Sequence, residues 1–294
     1  MIGGPGPDKE TTMDLFDIVS GLGQSLSLNL PHSLYWSSVQ GAQLFSDGTV
    51  ALIAGVSTDP NLKKVLLLDL VGNNFTVSTE PAILQSNKIA RPAATMVDDC
   101  LYMCGGYDMK DAIYTAACGK LCKAGTAFDW QSLPPAPYAV QASRLAYLDN
   151  TLYLLGGEHN SQHEKRMYSF VLPNGPWQQR PSMSSVRAQP SVAVLNQEIF
   201  VCGGMAAPPE YLASCEKYSR GMDSWSNATS MTEKRDAGAL QQFGGKLYAV
   251  SGSDGLNPSS AEQSVEVFDP ETNAWTHLGN VLPTDRYDAA FVLI

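Results

Sequence analysis

The residues able to do chemistry are few and poorly placed for it. The four histidines are His32, His159, His163 and His277, and no Cys–His spacing among them fits a zinc site. His159 and His163 are four residues apart, but in a polar loop rather than on one helix face, so they make no metal pair. The six cysteines stand at 100, 104, 118, 122, 202 and 215. They are too few for a disulfide framework in a chain of this length and are expected as reduced thiols. Cys104 and Cys202 sit in apolar segments, where cysteine serves as a small hydrophobe. No Gly-x-Ser-x-Gly turn is present, nor a phosphate-binding glycine loop followed by Lys-Ser/Thr. Gly21-Leu22-Gly23 reads as a simple turn. The expectation is no catalytic residue, no metal, no cofactor and no enzyme.

Composition narrows the partners. Nineteen basic and 29 acidic side chains leave a net charge of −10 over 294 residues, with no Lys/Arg-rich run, which argues against nucleic acid. No apolar run approaches the ~18 residues of a transmembrane helix. Met1-Ile2-Gly3-Gly4-Pro5 has no basic stretch leading into an apolar one, so no signal peptide is expected. With reduced thiols this points to a cytoplasmic location, with the nucleus also open. Two glycosylation sequons, Asn74-Phe75-Thr76 and Asn227-Ala228-Thr229, then read as chance occurrences.

Any side chain that acts must be positioned by the repeat that fills the chain. A small-residue doublet recurs, with its second member at 4, 55, 106, 157, 204 and 252, at steps of 51, 51, 51, 47 and 48. Before each later doublet runs a β-prone segment, such as Cys100-Leu101-Tyr102-Met103-Cys104 or Thr151-Leu152-Tyr153-Leu154-Leu155. A segment of small residues precedes it across a short polar turn, which is hairpin chemistry. After the doublet come a polar loop, a third strand and, seven residues past its aromatic or Leu, a large aromatic. The pairs are Leu68 and Phe75, Phe170 and Trp177, Tyr218 and Trp225, Phe268 and Trp275. Trp130 breaks the spacing, since Lys123 stands seven residues before it, and implies an insertion near Cys118–Cys122. Four short strands per roughly 50 residues leave both sheet faces wet unless the sheets stack radially.

These residues resemble the kelch repeat: the doublet, the Tyr before it and the aromatic–x6–Trp spacing recur over almost the whole chain. The fold expected is an all-β, six-bladed kelch β-propeller with four antiparallel strands per blade. The C-terminal strand joins the N-terminal blade to close the ring. The blades run over 284–294 plus 1–33, then 34–85, 86–138, 139–184, 185–232 and 233–283.

Seventeen residues before the second doublet member stand Ser38, Ile89, Val140, Arg187 and Arg235, and Arg286 opens the closing strand in the same context. Three adjacent arginines at the axial mouth predict a positive crescent suited to carboxylates or phosphates, with Ile89 and Val140 as an apolar opposite side. The competing reading pairs each arginine with a local acid such as Asp236 or Asp288. The resemblance to kelch-like substrate adaptors of cullin-RING ubiquitin ligases implies partner contacts at Ser38, Arg187, Arg235 and Arg286. It adds Tyr107, Glu158, His159 and Ser253 in the loops after the doublets. The partner implied is a protein or peptide with acidic and apolar parts. A cullin-3 complex would form only through a BTB domain, which these residues do not contain. The resemblance also admits an actin-binding or scaffolding role and, less directly, a sugar-active or copper-oxidase propeller.

Overall fold

The computed structural model describes the strands within 12–77 as backbone, and residues 89–283 apart from 109, 125–126 and 256–263. Ser38, Arg286 and the proposed closing strand at 284–294 lie outside the described residues. The described residues contain no helix, and so none long and apolar enough to cross a membrane.

Five four-stranded antiparallel sheets cover 42–77, 93–133, 144–180, 191–228 and 239–280. In each, the strands pair in chain order, first to fourth. A two-stranded hairpin, Thr12–Asp17 with Leu22–Ser27, precedes them. The first strands of consecutive sheets lie beside one another: Ala93–Val97, Arg144–Leu148, Ser191–Leu195 and Ala239–Phe243.

Second strands are apolar on both faces because each face belongs to a different core. In Thr151–Leu155, Leu152 and Leu154 pack with Tyr102, Val140 and Phe170 on one side. Tyr153 and Leu155 pack with Ile199, Val201 and Tyr218 on the other. Glu198–Cys202 repeats the division: Ile199 and Val201 face backwards, Phe200 and Cys202 forwards. Alternate residues of a strand point to opposite faces, so a run without polar breaks is what a sheet sandwiched between two others requires.

The seven-residue spacing is a cross-strand pair. Phe170 opposes Trp177, Tyr218 opposes Trp225 and Phe268 opposes Trp275, with ring centroids 5.1, 5.4 and 5.3 Å apart. Each indole reaches the preceding sheet's trailing segment: Trp177 donates to Pro134 O, Trp225 to Pro181 O and Trp275 to Thr229 O. The expected insertion is a longer hairpin of Cys118–Ala124 with Ala127–Leu133, in which Trp130 opposes Leu121. Gly119 leaves room for that ring, since a Cβ there would lie 2.0 Å from it.

The doublets join consecutive sheets. Gly106 N donates to Val140 O at 2.7 Å, Gly157 N to Arg187 O at 2.8 Å and Gly204 N to Arg235 O at 2.7 Å. The first glycine of each doublet is left-handed and pressed on the same carbonyl: a Cβ at Gly203 would sit 2.2 Å from Arg235 O. A second link runs just before the first strands, with Ala142 N donating to Arg91 O, Gln189 N to Ala142 O and Ala237 N to Gln189 O. All four of those residues are left-handed, with φ of 52, 54, 48 and 53°.

The cysteines depart from expectation. All six are bonded, as Cys100–Cys122, Cys104–Cys118 and Cys202–Cys215. Each joins residues directly opposite on the second and third strands of a sheet. The Cα separations of 4.0 to 4.2 Å belong to the close, non-hydrogen-bonded class of antiparallel pair. Cys104–Cys118 and Cys202–Cys215 replace, at the same repeat position, the Leu155–Met167 and Val250–Val265 pairs of the other sheets. Burial of Cys104 and Cys202 was foreseen; their partners were not.

Gly203→Ala forces a side chain against a backbone oxygen at φ +67° and is expected to cost at least ~2 kcal/mol. Gly221→Ala, whose Cβ would meet nothing within 4 Å, is the control and should leave stability within about 0.5 kcal/mol. Urea unfolding of the two variants measures the difference.

Candidate functional site

The loops that leave the doublets form short hairpins at one end of the sheets. Their first residues, Tyr107, Glu158, Met205 and Ser253, each pair back to the entry of their own sheet, opposite Ala90, Gln141, Ala188 and Asp236. Three of the predicted contact residues, Tyr107, Glu158 and Ser253, therefore occupy one repeated place, and His159 follows Glu158. All four are partly exposed.

Consecutive hairpins touch. Tyr114, on the return arm opposite Tyr107, donates its hydroxyl to Glu158 Oε1 at 2.5 Å and accepts from Ser161 N at 3.2 Å. His163 Nδ1 hydrogen-bonds Ala206 O at 2.9 Å in the next hairpin. A Cβ at Gly255 would lie 2.0 Å from the Tyr211 ring, so the last two described loops are also packed together. The result, among the described residues, is a rim that continues over four consecutive sheets.

Its tips carry Ile113, 55% exposed, and exposed Pro208 and Pro209, with half-buried Tyr107, Tyr114 and Tyr211 between them. Below the rim, Tyr138 meets His159 edge-on at 5.4 Å and has Arg166 over its ring at 4.0 Å. His159 Nδ1 bonds Ala139 O at 2.6 Å, so this histidine braces the loop. Among the described residues, no group of three or more His, Cys, Asp or Glu gathers in a way that would hold a metal ion.

The arginines are a correction. Arg187 and Arg235 are 0% and 1% exposed, and neither guanidinium opens onto the rim. Arg187 Nε and Nη2 donate to Glu216 Oε1 at 3.2 and 3.0 Å. Its Nη1 donates to Gly203 O and Ser214 O, and its Nη2 to Ser214 Oγ. Arg235 repeats this set with Glu266, Ser251 O, Ser264 O and Ser264 Oγ. The carboxylates are closed off in turn. Glu216 accepts from Ser184 N at 2.6 Å and Ser185 N at 3.3 Å. Glu266 accepts from Thr232 N, Thr232 Oγ1 and Glu233 N.

Each pair ties the loop entering a sheet to that sheet's third strand and its doublet. A buried charge is tolerable only when paired and hydrogen-bonded in this way. Val140 and Ile89, at the equivalent place, are equally interior, so the apolar side of the mouth drawn from them is core. The acids are Glu216 and Glu266, not Asp236. What betrays them in the sequence is a lone Glu in each of two third strands, within the repeats that carry the arginines. The sequence reading also missed Ile113, Tyr114 and Tyr211. They stand on the return arms of the hairpins, at variable distances from the doublet, where no fixed offset finds them.

The model of the Kelch motif matches residues 187–232 and 239–281, the two sheets built around the Arg–Glu pairs. The chain carries kelch repeats. Kelch-like protein 33 of Homo sapiens is 27% identical over 197 residues, covering 67% of this chain and 36% of that protein. Beta-scruin of Limulus polyphemus is 28% identical over 141 residues, 44% of this chain and 15% of its own length. The chain thus spans well under half the length of these curated relatives. A solved structure, that of YjhT, superposes with a TM-score of 0.57 at 18% identity, over 67% of each chain, which is a likeness of fold.

Burial raises the pKa of Glu216 and Glu266, but the hydrogen bonds from Ser184 and Thr232, with the facing guanidinium, outweigh it and hold both below the ordinary value. A depressed carboxyl pKa gives stability that is present above the unfolded value of about 4.3 and is lost as pH falls through the folded value. The urea midpoint of the kelch domain should therefore drop below about pH 4, and Glu216→Gln should flatten that drop. In a second experiment, Arg187→Met strands a buried carboxylate and should cost about 3–5 kcal/mol, while Arg187→Met with Glu216→Leu recovers most of the loss. Thermal melts of the cycle measure the coupling.

Proposed function

We propose that the kelch domain is a closed ring of six blades whose doublet-end rim recognises a protein partner. Five four-stranded sheets linked in series and one leading hairpin support the ring, with 284–294 supplying the closing strand to that hairpin's blade. The observation that carries the recognition reading is the continuous rim of touching hairpins. Its exposed Ile113, Pro208 and Pro209 and its half-buried tyrosines are the mixed aromatic and apolar surface that interfaces favour.

With Arg187 and Arg235 committed internally, the partner segment is apolar and hydrogen-bonding in character, and of the three mouth arginines only Arg286 is left for an acidic part. Tyr107, Glu158, His159 and Ser253 remain rim contacts in this reading, with Ser38 at the same mouth.

Two finer roles follow. The resemblance to kelch-like substrate adaptors favours substrate recognition for a cullin-RING ubiquitin ligase in the cytoplasm, which requires a BTB domain elsewhere in the protein. The kelch repeat itself also admits actin binding or scaffolding. The test is partner capture from the source cells by the wild type and by a rim variant, Ile113→Asp with Tyr211→Ala. Loss of specifically captured proteins at an unchanged melting temperature is expected; an unchanged captured set removes the rim from recognition. Cullin-3 among the captured proteins marks the adaptor, and co-sedimentation with filamentous actin marks the alternative.

A further inference from the structure

Three disulfides and a sequon on an exposed strand were not absorbed by the recognition role. The disulfides take up every cysteine in the chain. Two of them fill one repeat position in two different sheets, and the third, Cys100–Cys122, lies four residues along the same strand pair as Cys104–Cys118. Elsewhere that position holds pairs without a cross-link, Leu155–Met167 and Val250–Val265, so the fold does not need a disulfide there. A cross-link closing a loop of this size stabilises by about 3 kcal/mol on the chain-entropy model. It does so only where thiols stay oxidised, which reducing cytosol prevents. The reduced thiols on which a cytoplasmic location rested are not what the structure contains.

The second observation is independent of the first. Asn227-Ala228-Thr229 falls at the end of Ser224–Ala228, the outermost strand of the 191–228 sheet, and Asn227 is exposed. It opposes Glu216 across the strand pair, beside the Cys215–Ala228 pair at the doublet end of the sheet, but on the outermost strand, two strands out from the one that carries the doublet. Asn74 likewise opens an outermost strand, Asn74–Val77. An outer strand has a free row of backbone groups, and bulk placed on it prevents edge-to-edge pairing between molecules.

We propose that this chain matures in an oxidising, glycosylating compartment and that Asn227 carries an N-linked glycan. The Asn227 amide nitrogen displaces pyrophosphate from C1 of a lipid-pyrophosphate-linked oligosaccharide. The N–C1 bond forms and the C1–O bond breaks, its electron pair leaving on the phosphate oxygen. The amide proton passes to a base of the transferring enzyme. Each pair of thiols gives its protons and electrons to a protein disulfide of the same compartment. A partner of such a domain meets it outside the cytosol, so this proposal and the ubiquitin-ligase role exclude one another, whereas rim recognition survives either outcome.

The experiment takes the endogenous protein by immunocapture from cells lysed in a thiol-alkylating reagent without reductant. Peptide mass spectrometry then follows N-glycosidase F in heavy-oxygen water. Expected are cysteines that alkylate only after reduction, and Asn227 recovered as heavy-labelled aspartate. In the same cells the glycoform should vanish in Asn227→Gln and Thr229→Ala. It should persist in Thr229→Ser, which keeps the hydroxyl that bonds Asn273 O at 3.1 Å. Cysteines alkylated before reduction, Asn227 recovered unmodified, or a glycan on Asn74 alone would overturn the proposal.

Discussion

The carbonyl seventeen residues before each later described doublet is the point on which the structure turns. It accepts a hydrogen bond from the second glycine of the preceding sheet, and the first glycine of that sheet presses on it at a distance no Cβ allows. Backbone polar groups at the crowded end of a sheet must find partners when water is excluded. Here each sheet supplies the acceptor its neighbour lacks. The link is the same at Val140, Arg187 and Arg235, although the side chains differ, because the backbone alone makes it. Side-chain identity at that place is then free to vary between an aliphatic residue and an arginine.

That freedom explains the Arg–Glu pairs. Where the interior site holds Val140 or Ile89, apolar neighbours fill it. Where it holds arginine, every donor of the guanidinium and both oxygens of a facing glutamate are used, twice with the same geometry. The pairs are costly to desolvate and specific once formed, so they define register between an entry loop and a third strand rather than offering charge to a ligand. The hairpins beyond the doublets take no part in these pairs; their backbones are anchored at their first residue and their tips are free to differ.

The disulfides follow the same logic of equivalent positions. The residue before a doublet faces a residue at the start of the third strand, so a cysteine at both places is brought into bonding distance whatever the length of the hairpin between them. The separations of 14 and 13 residues differ because the hairpins differ. Counting cysteines along the chain conceals this; aligning them by repeat reveals it. Trp130 is a parallel case, nine residues from its cross-strand partner rather than seven because its hairpin is longer.

Composition and periodicity by themselves determined that this is an all-β chain of kelch repeats, because an apolar strand, a small-residue doublet and an aromatic pair at near-constant intervals have one economical packing. They also determined which tryptophans and glycines hold neighbouring sheets together. Only the tertiary structure decided that Arg187 and Arg235 are interior, that Glu216 and Glu266 are their partners, that all cysteines are bonded and that Ile113 and Tyr211 belong to the rim. The physical reason is that repeat position tells where a backbone goes. Burial, pairing and charge neutralisation depend on what the neighbouring strand and the neighbouring sheet present at that point.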